Sequence, residues 1–271
     1  MSVITSKDSR TFKELQRLTQ KKYRDREGLF IAENPKVVGE ALSQDGIDVL
    51  RVIAREGSGY ESFTDGTVTL SAELFDRVSD TMTSQGILAV VKKPDRGDIK
   101  NLLDGSDTIA TEPGSDIIVL DRLQDPGNIG TIIRTAEGAG ISAAVFIKGT
   151  CDPFSPKVVR ACAGSIFRMP IIFCDSTEEF ISIAKKCGYR LAVTDVDRGV
   201  PYYEAGLSRA SSSIGRHRIA LVIGNEGNGV SDTFRDAADI LVNIPMHGKL
   251  ESLNASVAAA LLMYEMGRPC E

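Results

Sequence analysis

Three polar segments in the second half of the chain follow apolar, strand-like runs and contain side chains that could do chemistry. They read LDRLQDPGNIGTIIRTAEGAG (residues 120–140), LVIGNEGNGVS (residues 221–231) and IPMHGKLESLNASVAAALLMYE (residues 244–265). Their notable polar side chains are Asn128, Arg134, Glu226, Ser252 and Asn254. An arginine facing such a cluster could clamp a phosphate group through its planar fork of N–H donors. Each side chain alone also has a structural explanation, as a helix cap, a surface turn or an ion-pair partner.

The glycines in these segments do not match the common nucleotide-binding fingerprints. The first segment contains no G-x-G-x-x-G, the second runs G-x-x-G-x-G, and a phosphate-binding loop ending in Gly-Lys-Ser/Thr is absent from the sequence. A nucleotide-dependent oxidoreductase on a Rossmann-like sheet is therefore disfavoured. Glycines still permit sharp bends and close approach of the backbone to a ligand. The segments could thus bind a small molecule through main-chain groups.

The N-terminal segment is basic although the whole chain is acidic. Residues 7–26 contain eight Lys or Arg and three Asp or Glu, whereas the chain has a net charge of −5. A basic segment on an acidic body favours a local phosphate-binding face. A solvated amphipathic helix explains the same charges equally well.

Apolar and polar runs alternate along both halves of the chain. Asn34 and Pro35 have the order expected of a helix N-cap and first helical position. The alternation predicts a small α/β domain at residues 1–93, a linker rich in Pro, Gly and Asp at 94–114, and a second α/β domain at 115–271. In the second domain the regular strand–helix alternation favours a parallel sheet. SRASSSIGR, residues 208–216, is predicted to be a surface loop.

The composition is that of a globular protein, with 42% hydrophobic and 25% charged residues. No apolar run reaches the roughly 18–20 residues that cross a bilayer, and the first residues lack the apolar core of a signal peptide. The five cysteines show neither close pairing nor the spacing of a metal site. We therefore expect a cytoplasmic protein with free thiols, no membrane partner and no metal.

In this order, the three polar segments resemble the three motifs of the SpoU (TrmH-like) RNA 2′-O-ribose methyltransferases, within the SPOUT superfamily. SPKVVRACAGSIFRMPI, which lies between the first two, is similar to the family's intermotif stretch, so the resemblance covers residues 115–267. The N-terminal half resembles, less sharply, the family's RNA-binding domain, which is itself similar to certain ribosomal proteins. LFIAENPKVVGEAL and SDTMTSQGILAVV carry that second resemblance.

The resemblance implies a fold, a cofactor and partners. The fold would be α/β, with a deep trefoil knot in the C-terminal parallel-sheet domain, an exception to the usual rule that chains do not thread themselves. The cofactor would be S-adenosylmethionine. The partners would be RNA, ribosomal or transfer, and a second copy of the chain in a homodimer whose active site uses both subunits. A separate N-terminal RNA domain favours ribosomal over transfer RNA.

By resemblance, Arg134 is the central catalytic residue of a methyl transfer to a ribose 2′-hydroxyl. A guanidinium stays protonated at neutral pH, which disfavours a literal general base. It could instead grip the adjacent phosphate and stabilise the developing oxyanion. Glu226 could fix Arg134, while Asn128 and Asn254 position RNA or one another. The supporting polar residues are Asn128, Glu226, Ser252 and Asn254.

The resemblance also assigns binding positions. The cofactor-pocket positions are Gly224, Ile244, Met246 and Leu253. Apart from the resemblance, the charge of the basic N-terminal segment predicts that Lys21, Lys22 and Arg24 contact RNA phosphates. The competing hypothesis is an RNA-binding protein with a vestigial methyltransferase fold, and the intact set of Arg134, Glu226 and Asn254 argues against it.

Overall fold

The computed structural model describes residues 3–94, 115–208 and 218–268. The predicted linker, apart from residue 94, lies outside these ranges, and so does the predicted surface loop, apart from residue 208. The chain divides into two compact units. The first comprises Met1–Asp95 and Asp152–Phe167, and the second comprises Arg96–Cys151 and Arg168–Glu271. Within the described ranges, no helix has the length and apolar character required to cross a membrane.

The helices of the described residues are numbered in chain order. They are α1 (Arg10–Leu18), α2 (Lys21–Glu27), α3 (Pro35–Ser43), α4 (Ala72–Asp76), α5 (Pro126–Gly138), α6 (Pro156–Ala161), α7 (Thr177–Lys186), α8 (Asp232–Ala237) and α9 (Ala255–Met266). A short 3-10 helix covers Ser165–Phe167. The strands are β1 (Leu29–Glu33), β2 (Val49–Arg55), β3 (Val68–Leu70), β4 (Ile87–Lys92), β5 (Ile117–Asp121), β6 (Ala143–Ile147), β7 (Ile171–Cys174), β8 (Tyr189–Thr194), β9 (Val200–Pro201), β10 (Arg218–Gly224) and β11 (Ile240–Asn243).

The first unit is built on a four-stranded sheet in the order β1-β4-β2-β3. β4 is antiparallel to both β1 and β2, whereas β2 and β3 are parallel. Helix α1 covers the sheet because Phe12, Leu15 and Leu18 recur on one face and are buried in the core. The predicted cap of α3 is confirmed, since the Asn34 side chain accepts a hydrogen bond from the Val37 N–H at 2.9 Å.

The inserted segment, which we define as residues 152–167, belongs to the first unit although it lies far along the chain. The Phe154 ring packs on the Phe30 ring of β1, with centroids 5.0 Å apart. Arg160 of α6 donates to Asp80 at 3.0 Å. Continuous boundaries at 1–93 and 115–271 do not anticipate this insertion, because nothing local in residues 152–167 shows what they pack against.

The second unit contains a seven-stranded sheet in the order β7-β6-β5-β10-β8-β11-β9. Every pair in it is parallel, which confirms the predicted parallel sheet. The carboxyl ends of parallel strands meet at one edge, where ligands bind in open α/β sheets. β5, β10 and β11 end at that edge, and each leads into one of the three polar segments.

Candidate functional site

Helix α5 positions the first two candidate residues. Asp125 caps the helix by accepting the Asn128 N–H at 2.8 Å, and Pro126 occupies the first turn, where its missing N–H costs nothing. Asn128 therefore lies in the first turn and is buried, whereas Arg134 lies almost two turns further on and is exposed. Within the described residues, the Arg134 side chain makes neither a hydrogen bond nor an ion pair, so its guanidinium is available to a ligand.

The loop after β10 folds back tightly and holds Glu226. Asn225 and Gly229 exchange two backbone hydrogen bonds of 3.0 and 2.9 Å across it. A Cβ atom on Gly224 would lie 2.3 Å from the Val230 backbone nitrogen, closer than non-bonded atoms can approach. Gly224 is therefore required by the loop itself, before any ligand is considered. The Glu226 side chain stands at the exposed turn of this loop.

Four side chains from the three polar segments form a continuous hydrogen-bonded chain, which we call the amide relay. Asn128 Nδ2 donates to Glu226 Oε1 at 3.0 Å, and Asn254 Nδ2 donates to Asn128 Oδ1 at 2.9 Å. Asn254 Oδ1 accepts from the Ser256 N–H at 2.9 Å and from Ser256 Oγ at 2.7 Å. The relay joins residues up to 126 positions apart in the sequence. The structure thus pairs Glu226 with Asn128, not with Arg134 as expected.

Glu226 is ionised in this setting. Partial burial raises the pKa of Glu226, but hydrogen bonds from Asn128 and from nearby backbone N–H groups outweigh it and hold that pKa below its usual value. One of these donors is the Gln124 N–H, which lies 3.4 Å from Glu226 Oε2. A carboxylate at neutral pH can only accept hydrogen bonds, which makes Glu226 a fixed acceptor at one end of the relay.

The third polar segment offers unpaired main-chain groups beside the relay. Among the described residues, no backbone N–H or C=O of residues 244–253 pairs with another backbone group. The predicted cofactor positions Ile244, Met246 and Leu253 are half-buried in this segment, and Gly224 is buried at the end of β10. Free main-chain donors and acceptors next to partly buried apolar side chains suit a small ligand with both polar and apolar parts.

Ser256 belongs to the relay although the sequence did not single it out, whereas the role expected of Ser252 stays a prediction. Ser252 is exposed, and among the described residues its hydroxyl has no hydrogen-bond partner. Ser256, two residues past the cap of α9, is buried and completes the relay. The sequence held one signal for Ser256, since a serine just after an N-cap asparagine is well placed to bond it.

The basic N-terminal segment needs one correction. Arg24 is only 3% exposed and cannot reach an RNA phosphate. Its Nε and Nη2 atoms donate to Asp152 Oδ2 at 3.1 and 2.7 Å, and its Nη1 donates to the carbonyls of Leu18 and Thr19. The charge pattern on α2 looked solvent-facing, but this one position of the helix points into the first unit.

The other basic side chains of α1 and α2 differ in whether they form ion pairs. Lys21 is exposed and forms an ion pair with Asp25. Three exposed side chains of the helices α1 and α2 form neither hydrogen bonds nor ion pairs within the described residues: Arg10, Arg17 and Lys22. These three are free to meet phosphate groups, and they define what we call the basic face.

Comparison with known proteins gives two family matches. A model of the SpoU rRNA Methylase family matches residues 115–264, and a model of the MRM3-like substrate binding domain matches residues 10–89. The 23S rRNA (guanosine(2553)-2′-O)-methyltransferase RlmP of Bacillus subtilis (strain 168) is 32% identical over 98% of this chain and 99% of that protein.

Solved structures agree in fold over nearly the whole chain. The AdoMet-bound rRNA methyltransferase from Sinorhizobium meliloti has a TM-score of 0.81 and 27% identity, covering 98% of this chain and 97% of that one. The SpoU methyltransferase AviRb from Streptomyces viridochromogenes, in complex with AdoMet, has a TM-score of 0.76 and 25% identity, covering 96% and 98% of the two chains.

Proposed function

Because the chain belongs to the SpoU rRNA Methylase family, we propose that it transfers a methyl group from S-adenosylmethionine to a ribose 2′-hydroxyl of ribosomal RNA. The observation that supports this best is the free guanidinium of Arg134 on the same helix that anchors Asn128 in the amide relay. Both units match models of this enzyme class, one for the methylase and one for substrate binding. With ribosomal RNA as its substrate, the protein would act in the cytoplasm.

Arg134 binds phosphate and stabilises negative charge in this proposal. A ribose 2′-hydroxyl is a weak nucleophile, so it must be aligned with the methyl donor and relieved of its proton. A guanidinium bound to the adjacent phosphate would orient the ribose, and its remaining N–H groups would stabilise the developing oxyanion. The proton passes to phosphate or water, since the Arg134 guanidinium is already protonated.

The residues around the third polar segment fit the cofactor. S-adenosylmethionine supplies an electrophilic methyl group on a sulfonium. The unpaired main-chain groups of residues 244–253 would bind its polar atoms, and Ile244, Met246 and Leu253 would contact its apolar parts. Gly224 keeps the neighbouring loop in place. Ser252, with its free hydroxyl, remains a candidate ligand to RNA or cofactor.

The proposal includes a knotted second unit. β10 lies between β5 and β8, two strands that precede it in the chain, and α9 packs against both α5 and β10. This strand order supports a chain whose last elements are inserted among earlier ones, as in the deep trefoil knot expected of the family.

A homodimer is the second structural part of the proposal. Val257, Leu261 and Tyr264 recur at i, i+4 and i+7 on α9 and are 48%, 41% and 60% exposed. Such spacing makes a continuous apolar stripe on one helix face, which suits a self-complementary contact with a second copy. Sedimentation of the full chain should give a dimer at micromolar concentration, and Leu261→Lys should shift it toward monomer.

The test of the function is transfer of radiolabelled methyl groups from S-adenosylmethionine to ribosomal RNA, followed by mapping of 2′-O-methyl sites. Arg134→Ala should lower single-turnover transfer by about 10²–10³, as expected for loss of one preorganised donor. Arg134→Lys should recover little, because a point charge does not reproduce the planar fork. Cofactor affinity, measured by calorimetry, should change little in either variant.

Three results would contradict the proposal. Wild-type protein that binds RNA but transfers no label would favour a vestigial methyltransferase fold. Full activity of Arg134→Ala would show that the guanidinium has no part in the reaction, and a Lys variant as fast as wild type would exclude the planar clamp.

A further inference from the structure

The amide relay has a fixed direction because both of its ends have fixed polarity. The Glu226 carboxylate can only accept hydrogen bonds, and the Ser256 backbone N–H can only donate. Asn128 must therefore turn its NH₂ group toward Glu226 and its oxygen toward Asn254. Asn254 must in turn direct its NH₂ group to Asn128 and its oxygen to Ser256. If either amide were flipped, a donor would face a donor or an acceptor would face an acceptor, and a hydrogen bond would be lost.

This direction determines what Asn254 presents to solvent. Its oxygen is occupied by two donors from Ser256, and one of its two Nδ2 hydrogens is used by Asn128. Asn254 is nevertheless an exposed residue, and its second Nδ2 hydrogen has no partner among the described residues. The hydrogen-bonding capacity that this amide has left is thus that of a donor.

We propose that the free N–H of Asn254 donates to an oxygen of the target nucleotide, and that Glu226 and Ser256 are positioning residues that hold the amide in this orientation. The inference rests on the proposed function for the identity of the ligand. Ser256 contributes strength as well as direction, since an amide whose oxygen accepts hydrogen bonds becomes a better N–H donor. Glu226 acts on Asn254 only through Asn128.

The direction of the relay can be tested by exchanging the amide and the carboxylate at residues 128 and 226. Asn128→Asp places a carboxylate against Glu226, and two like charges at this distance raise the pKa of one of them. Methyl transfer by this variant should fall by about 10² at pH 8 and recover as the pH falls and a shared proton restores the hydrogen bond. Asp125, whose carboxylate accepts the Asn128 N–H, is another titratable group that faces this position, and it is present in every variant.

The double variant should restore the relay at neutral pH. With Glu226→Gln added to Asn128→Asp, the new amide can donate to the new carboxylate, whose other oxygen still accepts from Asn254. We expect transfer within about 10-fold of wild type at pH 8 and no recovery on acidification, because the two-carboxylate pair is gone. The Glu226→Gln single variant completes a double-mutant cycle, which isolates the pairwise contribution of residues 128 and 226.

Ser256 has its own matched controls. Ser256→Ala removes the hydroxyl donor to Asn254 and should lower the single-turnover rate about 3- to 10-fold with unchanged cofactor affinity. Ser256→Thr keeps the hydroxyl and should retain most of the rate. Ser176→Ala removes a hydroxyl that caps α7 at 3.0 Å in the same unit and should lower thermal stability without slowing transfer.

Failure of this proposal is distinguishable from failure of the function. If the double variant is as slow as Asn128→Asp at every pH, or if Asn128→Asp is as fast as wild type at pH 8, the directional relay is overturned. Thermal unfolding of wild type, Asn128→Asp, Glu226→Gln and the double variant at pH 6 and 8 tests the relay without catalysis, since only Asn128→Asp should lose stability at pH 8. Wild-type protein without transfer would overturn the function and with it the role of Asn254.

Discussion

Arg24→Met gives the sharpest test of the first unit. Arg24 and Asp152 are 3% and 7% exposed. The substitution leaves two carbonyls and the Asp152 Oδ2 without their donor, although Asp152 Oδ1 still accepts from the Phe154 N–H. Removing one member of a buried ion pair costs about 3–5 kcal/mol. A small domain is stable by only about 5–15 kcal/mol, so the first unit should lose a large part of its stability.

Urea unfolding followed by far-UV circular dichroism measures the effect, because the chain has no tryptophan to report by fluorescence. The first transition should move to lower urea, and amide hydrogens in α1, α2 and the inserted segment should exchange faster. Arg24→Met combined with Asp152→Leu should recover most of the loss, since replacing both partners by apolar groups leaves no buried charge.

Arg26→Met is the matched control for this substitution. Arg26 belongs to the same helix but is exposed. It forms an ion pair with Glu27 and lies over the Tyr23 ring, and its removal should cost only about 1 kcal/mol. The reasoning would be refuted if Arg24→Met left the urea midpoint unchanged and weakened RNA binding instead. That result would mean that Arg24 contacts phosphate, as the charge pattern of α2 first indicates.

Three further predictions concern the cofactor loop, the basic face and pH. Gly224→Ala should abolish S-adenosylmethionine binding in calorimetry, because its Cβ meets backbone at 2.3 Å, whereas at Gly227 the nearest atom lies 3.6 Å away and alanine should be tolerated. Glutamine at all three basic-face positions should reduce the slope of log K for RNA binding against log salt concentration by about 0.7–1 unit per residue. An unchanged slope would mean that the face is merely solvated. Burial raises the pKa of Asp25, but hydrogen bonds from two lysines outweigh it and lower that pKa to about 2. The resulting stabilisation is present above pH 4 and lost as the pH falls toward 2, and acid titrations of Asp25→Asn should lack this step if the assignment holds.

Local signals in the sequence were enough to predict several elements of the fold. Apolar runs of five or six residues separated by helical patterns indicated the parallel sheet, because strands buried on both faces need such runs. Asn34 before Pro35 indicated the start of α3 for a reason that lies within four residues. The inserted segment instead joins the first unit through distant partners. One example is the bond between its Asp152 and Arg24, which lie 128 positions apart in the sequence.

The candidate site divides in the same manner. The three polar segments could be found because strand ends of a parallel sheet converge. The family resemblance then implied that Asn128 and Asn254 position RNA or one another. The individual hydrogen bonds could not be predicted, because the sequence does not decide whether Glu226 bonds Asn128 or Arg134. The part played by Ser256 could not be predicted either, because sequence spacing alone does not say which face of the last helix points inward.

The insertion of residues 152–167 into the first unit has a consequence for protein synthesis. A ribosome completes the last residue of β4 and then makes about 75 more residues before the inserted segment is finished, which takes roughly 4–15 s at ordinary elongation rates. During that interval Arg24 and the Phe30 ring have no partner from the segment, while β5, α5 and β6 of the second unit have already been made. The N-terminal unit therefore stays incomplete while the first strands of the second unit are being made, and its full stability is reached only after residue 167 has been added.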